Sequence, residues 1–162
     1  MKLQILAGLA LLCAVLPATA ADDAGLARMA LCRDSWFDWQ KSDPTKLKAF
    51  GDRFRAEFVR HDNDPFVLPK GNISIMGLHV VQAFPDSVGM GVGFSLTVDA
   101  GFDQVRKAVE KSLGKGVRHC ESSDGMKSCD FQIAPQRTVV LMAEDSAKAK
   151  QALIGCYYFY EK

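Results

Sequence analysis

Apolar residues fill positions 3 to 16 almost without interruption, behind Lys2 and ahead of Pro17 and the small-residue triplet Ala18-Thr19-Ala20. A basic start, an apolar run too short to span a bilayer and a small-residue site are the three parts of a secretory signal peptide. Cleavage is expected after Ala20, leaving residues 21–162 as a single domain. Cys13 lies inside the run behind Leu12, where lipid attachment would truncate the hydrophobic segment, so no lipid anchor is expected. The mature chain is expected to be soluble and periplasmic or secreted, without a transmembrane anchor.

Beyond the leader the pattern turns helical. Leu26, Met29, Ala30, Trp36 and Phe37 recur at the spacing of one amphipathic helix over residues 24–40, with Cys32, Trp36 and Trp39 sharing a face. Asp43 then stands ready to cap a second helix, with Pro44 in its first turn, where no amide donor is missed. This helix is expected to run to about Arg60 on the stripe Leu47, Phe50, Phe54 and Phe58, and the short link makes the pair a hairpin.

After Asp62-Asn63-Asp64-Pro65 the period changes to two. Strands are expected at Ile73 to Phe84 and Met90 to Val98, separated by Pro85-Asp86-Ser87. In the second strand Met90, Val92, Phe94, Leu96 and Val98 point one way, and Gly89, Gly91, Gly93, Ser95 and Thr97 the other. A helix packed closely on this bare face is the first expectation, and a groove admitting a partner's backbone the second. A third helix, Phe102 to Leu113, is expected to end at Gly114, followed by strands Val117–Ser122, Lys127–Ala134, Arg137–Ala143 and Ala152–Tyr160. The last segment also fits helical spacing, although its β propensity is high. The sum is an α+β domain, an N-terminal helical hairpin followed by a mostly antiparallel sheet with one inserted helix (ββαβββ-like), stapled by disulfides.

Losing the leader changes the cysteine arithmetic, because four cysteines are left for an oxidising compartment: Cys32, Cys120, Cys129 and Cys156. Asp124-Gly125 is a favoured two-residue hairpin turn. Cys120 stands as far before it as Cys129 stands after it, on a pair without ladder hydrogen bonds, where α-carbons approach closely enough for a disulfide. Cys32 and Cys156 then pair by elimination. Zinc sites usually bring ligands two to four residues apart, and no two cysteines here are that close, so no metal and no other cofactor is expected.

Candidate chemistry is sparse. His61, His79 and His119 sit on different predicted elements. Asp62-Asn63-Asp64 opens like a calcium loop, but Val67 and Ile73 stand where its glycine and closing glutamate belong, so it reads as a turn. The glycines at 89, 91 and 93 lie within a strand rather than before a helix, unlike a dinucleotide fingerprint. Lys2 is the only charged residue lost with the leader, so the mature chain is formally neutral, which argues against a nucleic-acid partner.

The leading expectation is a non-enzymatic binding, inhibitor or immunity-type module whose partner is a protein or envelope component. Its candidate contact residues are Trp39, Gly89, Gly91, Gly93, Tyr158 and Tyr160. The alternatives are a small hydrolase using His119 and Asp130, which the same hairpin sets opposite each other, or a carrier of an apolar ligand. Oligomeric state is left open by the sequence.

Overall fold

The computed structural model describes residues 22–61, 64–85, 87–88, 91–116 and 119–159. The leader, the turn residues Asp62 and Asn63, Asp86, Gly89, Met90, Val117 and Tyr160 lie outside the described residues.

The single helix expected over residues 24–40 is two. α1 (Ala24–Ala30) is capped by Asp23, whose carboxylate accepts the Leu26 amide at 2.9 Å, and it stops where Cys32 adopts φ 56°. A side chain at positive φ cannot continue a right-handed helix. Arg28 closes the break by forking onto Asp34 at 2.7 and 3.0 Å, and Ser35 caps α2 (Trp36–Ser42).

Asp43 caps α3 (Pro44–Glu57) through the Lys46 amide, as its position suggested. The helix ends at Glu57 rather than near Arg60, because Phe58 turns extended and opens β1 (Phe58–Arg60). Its ring still stacks on Phe54 at 4.4 Å, so the last member of the apolar stripe keeps its packing while its backbone changes state.

β1 pairs with β2 (Val67–Pro69), a strand too short to register as a period. The strand expected from Ile73 to Phe84 is a hairpin of β3 (Ser74–Ile75) and β4 (Leu78–Phe84), turned by Met76 and Gly77, both at positive φ. There follow β5 (Ser87–Val88), β6 (Gly91–Val98) and α4 (Phe102–Leu113), which Gly114 ends at φ 68°. The remaining elements are β7 (His119–Ser123), β8 (Met126–Ala134), β9 (Arg137–Glu144) and β10 (Ala152–Phe159). The C-terminal segment is therefore strand, and its helical spacing is incidental.

Eight strands form one antiparallel path in the order β1-β2-β4-β6-β10-β9-β8-β7, with β3 and β5 as short additions beside β4 and β6. The last strand of the chain thus enters the middle of the sheet. Phe94, Leu96 and Val98 of β6, Ile154 of β10, Val139 and Leu141 of β9 and Phe131 of β8 are buried beneath Leu26, Met29 and Ala30 of α1 and Val105 and Val109 of α4. Phe50 and Phe54 of α3 meet Phe94 edge-on on this same side. Each large apolar side chain so buried contributes about 1.5–3 kcal/mol. All four helices therefore lie on one face of the sheet, in two layers. None of them is long and apolar enough to cross a membrane.

Both expected disulfides are present. Cys120 and Cys129 bridge the β7–β8 hairpin with α-carbons 4.1 Å apart, across a turn in which Asp124 and Gly125 are both at positive φ. Cys32 and Cys156 join the end of α1 to the central strand β10.

Candidate functional site

The helices cover the Phe94 side, so the helix expected behind the glycines is not there. Gly93 has a different reason to be glycine. A Cβ at this position would lie 2.5 Å from the Cys156 carbonyl oxygen and 2.9 Å from Cδ1 of Tyr157, its direct partner on β10. The Tyr157 ring occupies the space a side chain would need. Burial pushes the Tyr157 hydroxyl's pKa up, and Ser95 opposes the rise.

Registers across the sheet lay out this second face row by row. One row runs Gln82, Thr97, Leu153, Met142, Ser128, Glu121. The next runs Phe84, Ser95, Gly155, Val140, Asp130, His119. A third runs Gly93, Tyr157, Thr138, Gln132. The middle carries almost no side chain at Gly93, Ser95 and Gly155, which are all buried, and Gly155 has no room for one: its Cβ would meet the Ser95 Cβ at 2.6 Å. Half-buried Phe84, Val140, Leu153 and Tyr157 surround these three positions. Towards the β1 edge the apolar character continues through Phe66, whose ring lies 5.4 Å from Phe84, and through the exposed pair Val59 and Leu68. Gln82 ties β4 to β6 by donating to Thr97 Oγ1 at 3.1 Å.

The opposite end of the face is charged. His119 and Asp130 stand opposite each other as the hairpin predicts, yet the imidazole lies 3.7 Å from Glu121 on its own strand. Partial burial holds the Asp130 carboxyl above the usual carboxylate range; His119 opposes that shift and Glu121 reinforces it. The group can take up a proton more readily than a free aspartate. No serine or cysteine nucleophile is hydrogen-bonded to His119 among the described residues, and no cluster of metal-ligating side chains occurs among them.

Two of the expected contact residues, Trp39 and Tyr158, do not lie on the bare face. Trp39, expected to be partly exposed, is only 8% exposed; its ring packs edge-on against Phe50 at 5.7 Å, with Lys46 4.4 Å from its centroid. Trp36 is the half-buried one, stacked on Phe37, because the break after α1 rotates α2 relative to a continuous helix. Tyr158 shares the helix-covered face with Cys156, between Phe37 at 5.5 Å and the Arg137 guanidinium at 5.4 Å. Gly91 pairs with Phe159 beside Gly93, while Gly89 and Tyr160 lie outside the described residues.

Sequence reasoning missed Tyr157, Gly155, Val140, Met142, Leu153 and Phe84 as one surface. The alternation within β9 and β10 was legible, but no local signal states that β10 inserts between β6 and β9. A separate open, charged depression of about 660 Å³ lies by the start of α1, where Arg53 bonds Asp23 and Glu57.

The chain is thus a two-layer α+β domain with one sheet face layered by helices and the other bare among the described residues. No protein-family model matches it, and no curated protein or solved structure matches it.

Proposed function

We propose that this chain is exported, cleaved after Ala20, and acts outside the cytoplasm as a non-enzymatic binding module whose contact surface is the bare sheet face. The observation that carries the reading is the half-buried apolar group Phe84, Val140, Leu153 and Tyr157 around Gly93, Ser95 and Gly155, on a sheet face that no helix covers among the described residues. Exposed sheet faces of soluble domains ordinarily alternate to polar side chains. A contiguous apolar patch with a polar rim is instead the composition of an interaction surface. The formal neutrality of the mature chain favours a protein or envelope component over a nucleic acid. A sheet face of this kind suits a partner's flat surface better than an enclosed apolar ligand.

A photo-crosslinking amino acid at Met142 or Leu153, on the bare face, tests this in the exporting cell. A discrete adduct from these positions, and none from Lys111 on α4, is the expected result. Adducts from Lys111 alone would move the contact surface to the helical side and refute the reading. The hydrolase alternative keeps one supporting observation, the His119–Asp130 juxtaposition; loss of a measured ester or peptide hydrolysis in His119→Ala would favour it.

A further inference from the structure

The sheet path ends at β7, and that edge is unguarded. All five residues His119 to Ser123 are exposed, and the strand contains no proline, lysine or bulge, the usual devices that keep an edge from pairing. The opposite edge, β1, has only three residues and ends on Arg60. Because Cys120 and Ser122 lie on pairs without ladder hydrogen bonds to β8, their backbone N–H and C=O groups point away from the sheet. No backbone partner meets them among the described residues. Four strong hydrogen-bonding groups thus stand in a row at the spacing of a strand.

We propose that this edge binds a second copy of the chain, the two β7 strands pairing antiparallel about a two-fold axis at Cys120. An isologous pairing allows three registers that use the outward groups. Centred on Glu121, it sets the two Glu121 side chains directly opposite each other, which is repulsive. Centred on Ser122, it sets Cys120 against Asp124, whose positive φ belongs to the turn and cannot continue a ladder. Centred on Cys120, it sets each His119 against Glu121 of the second copy, twice over. This last register is the self-complementary one. It keeps both helix layers on one side and extends the bare face across both copies, but it does not depend on what that face binds.

The groups around His119 give the association a signature. Its own Glu121, Asp130 on β8 and the second copy's Glu121 are all carboxylates. An imidazolium at this position is attracted by all three, within each copy and across the pair, so association strengthens when His119 is protonated.

Sedimentation velocity of the mature disulfide-bonded protein over a concentration series, at about pH 8 and about pH 6, tests the proposal. The expected result is a monomer–dimer equilibrium at least about tenfold tighter at the lower pH. His119→Glu should weaken it by about tenfold or more, and adding Glu121→Lys should restore it by reversing the pair. A monomer at every concentration and both pH values overturns the proposal. So does a dimer that is indifferent to His119→Glu, which would lie on another surface.

Discussion

Replacing Gly93 with alanine adds one methyl group where the structure has no room for it. Two effects oppose each other. Removing a glycine from a strand interior restricts the unfolded chain and is worth about 0.5–1 kcal/mol in favour of the fold. Against it stands the new Cβ, 2.5 Å from the Cys156 carbonyl oxygen and 2.9 Å from the Tyr157 ring. The ring can rotate away; the carbonyl is that of Cys156 itself, which β10 holds in the ladder and the disulfide ties to Cys32, and it moves only if the β6–β10 ladder shifts. Overpacking of this kind costs about 1–3 kcal/mol, so it wins, and a net loss of about 1–2 kcal/mol is expected. For a domain of this size that lowers Tm by roughly 3–8 °C. Thermal melts followed by circular dichroism measure it. Gly71→Ala, with nothing within 4 Å of its new Cβ, should stay near wild type. In a Tyr157→Ala background most of the Gly93→Ala loss should persist, since the carbonyl is still in place. A Gly93→Ala protein that melts at or above wild type would refute the close-approach argument.

Three further outcomes are expected. Intact mass of the exported protein should match a chain beginning at Ala21, and a retained Cys13 would sink the cleavage assignment. Removing the Cys32–Cys156 pair as a double alanine variant should destabilise more than removing Cys120–Cys129, since the loops they close span 124 and 9 positions; loop entropy puts the two losses at about 5 and about 3 kcal/mol, and denaturant titration showing the reverse order would contradict it. Asp130 has a raised pKa in the fold, so it favours folding at low pH and loses that contribution as pH rises through its folded value. Asp130→Asn, which mimics the protonated acid, should therefore melt above wild type at neutral pH and equal to it in acid; a lower neutral Tm would show that burial is not the dominant influence.

Most of the architecture could be read from local pattern, and the failures have physical causes. Asp124-Gly125 fixed the β7–β8 register, and with it both the Cys120–Cys129 bridge and the His119–Asp130 juxtaposition, because a two-residue turn leaves no freedom in the pairing. Gly114 and Asp43 marked helix ends through their own backbone preferences. The break at Cys32 escaped because a disulfide, not a helix-breaking residue, accompanies the positive φ there. Phe58 escaped because it serves the same aromatic cluster whether helical or extended. The identity of the bare face was the deepest miss. Parity says that Gly93 and Phe94 point opposite ways, but which side the helices choose depends on long-range packing, and Tyr157 became the glycine's neighbour only through the β6–β10 pairing.

The order in which the cysteines appear along the chain gives the Asp124-Gly125 turn a second consequence. In a chain delivered N-terminus first, Cys32 arrives early and its proper partner, Cys156 on β10, arrives last. Cys120 and Cys129 come between them, and each could capture Cys32 wrongly. Hairpins close in microseconds, whereas disulfide chemistry takes seconds or longer, so the β7–β8 turn can bring Cys120 and Cys129 together before an oxidant of the compartment links either of them to a distant cysteine. A local turn thereby protects a distant bond, leaving Cys32 with only one thiol to choose when the central strand finally takes its place.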